Sequence, residues 1–156
     1  MTPQTRMTTE AARIADQIRR SYEGVAWHGP SLKEILNDVS AETASRRPFA
    51  GCHTIWELLL HVAAWATVAR RALTENIYVS LEGEGDWPVP KGAWPDALAH
   101  LEREQKALVE ETRKLTDARL NEIVSAEKKY SIYFLLHGVI QHNLYHAGQM
   151  ALLKKA

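Results

Sequence analysis

The stretch SIYFLLHGVIQHNLYHAGQMALLKK, Ser131 to Lys155, decides the fold. Within it Leu135, Val139, His142, His146, Gln149 and Leu153 recur at steps of four and three, so on a helix they share one face. The spacing predicts a helix from about Ser131 to Lys154, with its terminal lysines at the negative end of the helix dipole. Two imidazoles therefore interrupt an otherwise apolar core seam.

Working outward, the same rhythm appears in Leu58, His61, Trp65, Val68 and Ala72, which turns His61 toward the interior of a second helix. Thr54 and Glu57 form the capping box that starts this helix, and it continues to about Thr74. Between Glu75 and Ala93 the breakers Gly83, Gly85, Pro88, Pro90 and Gly92 predict a long irregular connection, and long ordered loops often border sites. A helix then begins near Trp94 and Pro95 and carries Trp94, Leu98, Leu101, Gln105, Leu108, Thr112 and Leu115 on one face, ending before Leu120. Upstream, Ala11, Ile14, Ile18 and Tyr22 mark a first helix. Gly24, Gly29 and Pro30 then break the chain, and a short helix is expected from Ser31 to about Val39. No run alternates with period two, and no internal repeat is present. The expected architecture is all-α: a four-helix bundle with a short extra helix after helix 1, as one domain over residues 1–156.

Composition bounds the function. The 156 residues are 46% hydrophobic and 24% charged, an ordinary globular balance for one sizeable core. Nineteen basic residues against nineteen acidic ones leave no net field to favour nucleic acid or an anionic membrane surface. The apolar stretch Leu58 to Ala69 is too short to span a bilayer. The single Cys52 has no partner for an internal disulfide, and the polar start MTPQTRMTTEAAR lacks the apolar core of a secretory leader, so the cytoplasm is the expected location.

Histidines four residues apart on a helix stack two imidazoles that can grip one divalent ion from one side, although such pairs also arise without a metal. A third inward histidine on another helix strengthens the case, because three buried neutral imidazoles would otherwise each leave a polar nitrogen in need of a partner. His61, His142 and His146 are thus the expected ligands. Three protein ligands leave a coordination position for water or substrate. Imidazole ligation suits zinc, nickel, copper or iron; zinc is the first expectation and nickel the second.

Around this set, Gln149 either fixes an imidazole or binds substrate, or is a buried amide tying helix to helix. Glu57 can orient His61 as a carboxylate partner, although the capping box already accounts for it. Trp65 and Tyr145 are expected beside the ion as aromatic pocket walls, or as plain core. His53 lies at the start of the His61 helix, near the mouth of the site, and can touch substrate there. Cys52 and His53 do not make a nucleophile and base, since adjacent residues rarely face each other and no third group orients them. His137 falls opposite His146, and His28 and His100 do not converge on the set. Gly138 and Gly148 are read as marks of close helix approach or crowding near the ligands. No Gly-rich phosphate loop, GxSxG elbow, CxxC pair or HExxH motif is present.

Three segments carry a family resemblance: Tyr22-Glu23-Gly24-Val25-Ala26-Trp27-His28-Gly29-Pro30, His53-Thr54-Ile55-Trp56-Glu57-Leu58-Leu59-Leu60-His61-Val62-Ala63-Ala64-Trp65, and Leu136-His137-Gly138-Val139-Ile140-Gln141-His142-Asn143-Leu144-Tyr145-His146-Ala147-Gly148-Gln149. On these the chain resembles the DinB-like superfamily of metal-binding four-helix bundles (DinB/YfiT-like) over nearly its whole length. The resemblance implies an up-down-down-up helix order, a frequent homodimer, and metal ligation by His61, His142 and His146. It also implies relatives that are thiol-dependent S-transferases or isomerases using bacillithiol or mycothiol, or metal-dependent hydrolases. The expected function is a metal-dependent enzyme of the thiol S-transferase or hydrolase type, acting on a small-molecule substrate, with a low-molecular-weight thiol as one partner class. The alternative is a non-catalytic metal-stabilised bundle for ligand binding or stress response; an ion-free bundle with hydrogen-bonded core histidines is the third.

Overall fold

The computed structural model describes residues 9–125 and 128–156, so most of the polar start on which the location reading rests lies outside the described residues. Among the described residues the chain forms six α-helices and no strand: α1 (Glu10–Tyr22), α2 (Leu32–Leu36), α3 (Ala41–Ser45), α4 (Ile55–Thr74), α5 (Trp94–Arg113) and α6 (Ile132–Lys155), with a 3-10 turn at Asp117–Asn121 before the last. None of these helices is long and apolar enough to cross a membrane.

Local chemistry sets the starts. The hydroxyls of Thr9, Thr54 and Ser131 accept from the amides of Ala12, Glu57 and Phe134, capping α1, α4 and α6. The Glu57 carboxylate closes the Thr54 box by accepting from the Thr54 amide at 2.7 Å. Helix α5 has Pro95 in its first turn instead of a side-chain cap. One short helix was expected from Ser31 to about Val39, but the chain forms two. Ser31 and Glu34 cap α2, which ends at Leu36, and Ser40 caps a new start by accepting from the Thr43 amide.

Helix α1 packs on α5 and α6, and so does α4. Two apolar clusters result. One gathers Tyr22, Leu59, Trp94, Leu101 and Met150; the other gathers Ile14, Ile18, Ala69, Leu108 and Leu136. Each of the four long helices contributes to both, and each places polar side chains where it passes from one cluster to the other. Ser21 of α1, Gln105 of α5 and Asn143 of α6 are buried there, and so are His61 of α4 and His146 of α6. The core is therefore divided by a polar belt.

Half of the belt is self-satisfied. The Asn143 amide donates to Ser21 Oγ at 2.9 Å and to Gln105 Oε1 at 3.1 Å, while Gln105 Nε2 donates to Asn143 Oδ1 at 3.2 Å. Buried amides so completely paired tie three helices at one level. The histidines make up the other half.

Gly138 and Gly148 do not mark close helix approach. A Cβ built at either would meet nothing within 4 Å, so helix packing within the chain does not demand a glycine at these positions.

Candidate metal centre

Helix α4 presents His61 and helix α6 presents His142 and His146, and their ligating nitrogens all lie within 4.8 Å of one another. His142 Nε2 sits 2.9 Å from His61 Nε2 and 3.1 Å from His146 Nε2. Nitrogens held about 2.0–2.1 Å from a tetrahedral zinc stand roughly 3.3 Å apart, so the two observed separations are close to those of a shared ion. His61 and His146 are buried and His142 is half-buried, which leaves His142 as the ring nearest the outside.

The hydrogen bonds decide which nitrogens are free. His61 Nδ1 lies 2.7 Å from the Asp86 carbonyl oxygen, an acceptor only, so Nδ1 carries the proton and donates it. His146 Nδ1 lies 2.6 Å from Gln149 Oε1 and donates likewise. In the neutral rings of His61 and His146, Nε2 is then a bare lone pair. His142 Nε2, facing both, can donate to one of them at most. Burial first, and then the neighbouring His146 and His61, push the His142 pKa down to about 3. Burial also holds His146 below the usual histidine value. For His142 and His146, protonation near neutral pH is thus no remedy for their opposed lone pairs. A divalent cation satisfies all three nitrogens at once, and the donor set fits one.

Two residues that orient the site come from the connection between α4 and α5. Besides its carbonyl bond to His61, Asp86 places Oδ1 3.2 Å from His61 Nδ1 and accepts from Trp65 Nε1 at 2.7 Å. Trp87 lies flat on His61, with ring centroids 3.9 Å apart and an angle of 5°, and His53 lies on its other face at 3.5 Å and 3°. The turn that delivers them has Gly83 at φ 55, a conformation open to glycine, and closes through the Trp87 amide donating to the Gly83 carbonyl at 2.9 Å. The expectation that this loop borders the site is met. Asp86 and Trp87 themselves were not singled out from the sequence; the signal was their position among the breakers of the one long connection.

The remaining expected residues divide. Gln149 meets His146 rather than tying two helices together. Trp65 stands 6.4 Å from His142, ring to ring, with its indole fixed by Asp86. Glu57 serves the cap: it also binds Arg47 at 2.7 Å and lies 3.6 Å from His53 Nδ1, while the Nδ1 partner of His61 is Asp86. Tyr145 is 67% exposed, so it borders His146 from outside, ring centroids 5.0 Å apart, and lines no enclosed pocket. One residue of turn before His146, a rotation of about 100°, is enough to carry it round to the outer face. His53 is exposed and stacks on Trp87, which in turn lies on His61. His137 packs on Tyr133, away from the three rings.

A family model described as the DinB superfamily matches residues 26–150. The chain belongs to the DinB superfamily. The DinB match takes in α2 to α5 and most of α6, and with them all three histidines, Asp86, Trp87 and Gln149. Helix α1, which supplies Ser21 to the belt, lies before the matched DinB segment. Comparisons of the chain with curated proteins and with solved structures gave no match.

Proposed function

We propose that this DinB-superfamily chain is a metal-dependent enzyme of the thiol S-transferase or hydrolase type, binding zinc by first preference and nickel by second through His61, His142 and His146. The observation that carries the reading is the convergence of three Nε2 atoms whose rings have their Nδ1 protons committed elsewhere in two cases of three. An ion held by these three rings would lower the pKa of a bound water or small thiol, so that its proton would pass to solvent and leave a nucleophile at neutral pH. The chain's own residues do the rest. Asp86 and Gln149 fix the tautomer and tilt of two ligand rings, and Trp87 covers the His61 face against water. The half-buried His142 side is where a substrate has room to approach.

The test uses tag-free protein loaded with zinc or nickel, assayed with a p-nitrophenyl ester and, separately, with a small thiol plus 1-chloro-2,4-dinitrobenzene. We expect turnover that the His142→Ala variant loses together with its metal. Rates equal to that variant, with stoichiometric metal in the parent, would transfer the site to the runner-up role of a metal-stabilised ligand-binding bundle.

The fold reading that goes with this is one domain, an up-down-down-up four-helix bundle. Its support is which ends meet. Trp56 and Trp94, at the starts of α4 and α5, contact edge to face at 5.3 Å, and Arg70 further along α4 binds Glu104 of α5 at 2.9 Å, as parallel neighbours do. Tyr22 at the end of α1 shares a cluster with Trp94 and Met150, whereas Ile14 shares the other with Leu108 and Leu136. The Glu75–Ala93 connection is long enough to return along a helix of α4's length, about 30 Å for twenty residues. Pairing of two copies also belongs to the reading. Its support is the outer face of α6, where Tyr145 and Leu152 are exposed and no charged side chain stands between Ile132 and Leu153. Sedimentation of the parent as a dimer and of Leu152→Glu as a monomer is the expected result; a monomeric parent removes this element.

A further inference from the structure

Against the half-buried flank of His142 lies a cavity of about 280 Å³. Four aromatic side chains, Trp65, Tyr78, Tyr130 and Phe134, line it, with Gly138 and His142 in its wall, and none of its lining side chains carries a charge. The aromatic wall is braced. Tyr78 and Tyr130 meet edge to face at 5.7 Å, Tyr130 meets Phe134 at 5.2 Å, and Trp65 is fixed by Asp86, the residue that also orients His61. Burial, aided by Tyr78, raises the Tyr130 pKa well above the usual phenol value, so its hydroxyl stays neutral.

Gly138 explains why the space is there. A glycine inside a helix costs about 1 kcal/mol relative to alanine. At Gly138 nothing within the chain requires it, because a Cβ would meet no atom within 4 Å. What the missing side chain leaves open is the cavity wall on the turn of α6 that precedes His142. A void of about 150 Å³ accepts benzene, so this cavity has room for one or two rings. Its lining offers no cationic partner to a carboxylate, and burying an unpaired carboxylate costs several kcal/mol.

We propose that this cavity binds the apolar part of the substrate, an uncharged aromatic or bulky aliphatic group, with the reacting atom directed past His142 toward the metal. The proposal rests on the metal reading above, and it assigns the polar or charged part of any thiol co-substrate to a place outside this cavity. Phe134, 64% exposed, forms an apolar lip at the mouth.

The probe is 1-naphthol, compared with its charged counterpart 1-naphthoate, titrated calorimetrically into zinc-loaded, metal-free and cobalt-substituted protein. We expect 1-naphthol to bind at least about tenfold more tightly than 1-naphthoate, and to shift the visible absorption of the cobalt form. Gly138→Leu, a good helix former whose side chain occupies the cavity, should weaken 1-naphthol binding by at least about tenfold while metal content and thermal stability are kept. Gly138→Ala, a smaller change, should retain binding and report that the helix tolerates a side chain. Equal affinity for the two probes, or 1-naphthol binding untouched by Gly138→Leu, overturns the assignment. So does binding that leaves the cobalt spectrum unmoved. A protein that takes up no cobalt yet binds 1-naphthol in a Gly138→Leu-sensitive manner defeats the metal reading and supports the ligand class.

Discussion

Replacing Gln149 with leucine separates the role of a ligand from the role of the group that aims it. Gln149 Oε1 accepts the His146 Nδ1 proton at 2.6 Å, one turn further along α6. Leucine keeps the volume and the helix but offers no acceptor. The buried His146 ring then has two choices. It keeps an unpaired N–H, at about 1–3 kcal/mol for a stranded buried donor, or it shifts the proton to Nε2 and so blocks the nitrogen that faces the ion. Loss of an orienting partner typically lowers metal affinity about 10–100-fold, or roughly 1.4–2.7 kcal/mol, and the two ranges overlap. We therefore expect Gln149→Leu to bind zinc 10–100-fold more weakly, by that same range, in competition against a chromophoric chelator near neutral pH. Gln149→Glu, which restores an acceptor and adds charge, should bind at least as tightly as the parent. Parental affinity in Gln149→Leu, alongside clear loss in His146→Ala, would refute the claim that this hydrogen bond sets the ring.

Three further outcomes follow from other contacts. Asn143→Leu strands the Gln105 amide, at about 1–3 kcal/mol per unpaired group, so urea unfolding of the metal-free protein should show a loss of that size; an unchanged midpoint would mean that the belt contributes nothing net. Asp86→Ala removes the acceptor of the Trp65 indole but keeps the backbone carbonyl that holds His61. Tryptophan emission should shift, with a smaller loss of zinc affinity than in Gln149→Leu; a larger loss would mean that the carboxylate is the true partner of His61. The pH dependence has a definite sign. His142 has a folded pKa of about 3 against an unfolded value of about 6.5, so between these pH values the unfolded chain holds a proton that the folded one lacks. This contribution is complete above about pH 6.5 and is lost as pH falls toward 3, by about 1.4 kcal/mol per unit for this one group. His146 is shifted the same way. Chelator-treated protein should be less stable at about pH 5 than at about pH 7, and His142→Leu should flatten that slope; parallel slopes would contradict the assignment.

What the sequence discloses follows the range of the forces involved. The long helices are legible because one-sided burial imposes a step of three and four on Leu58 to Ala72 and on Leu135 to Leu153, and the start of α4 because Thr54 and Glu57 settle it within three residues. The same periodicity brings His61, His142 and His146 inward. The division into α2 and α3 depends on one weak local cap at Ser40, too slight to stand out beside an apolar run. Asp86 and Trp87 lie 25 and 26 residues beyond His61, and nothing local says that their loop folds back onto it. Tyr145 shows the limit of a helical wheel: it sits between inward positions three and four residues away, and the width of the buried sector, which decides its fate, is a property of the neighbouring helices. Gly138 shows another limit. A glycine kept for the space beside it has the same one-letter signature as one kept for close packing.

The polar belt explains why the histidine half can stay under-satisfied without loosening the bundle. His142 and Asn143 are consecutive, so a rotation of about 100° on α6 sends one toward α4 and the other toward α1 and α5. Asn143 is held by three hydrogen bonds across two other helices, all at full burial. Sliding or turning α6 by one residue would break all three and strand two amides, which fixes the helix in register more sharply than apolar contacts do. Because the same turn of helix carries His142, and the next carries His146, their Nε2 atoms inherit that register. His61 is set independently, from the loop, by Asp86 and Trp87. The closed half of the belt thus positions two rings, the loop positions the third, and the lone pairs left facing one another are held in place by groups that bind no metal themselves.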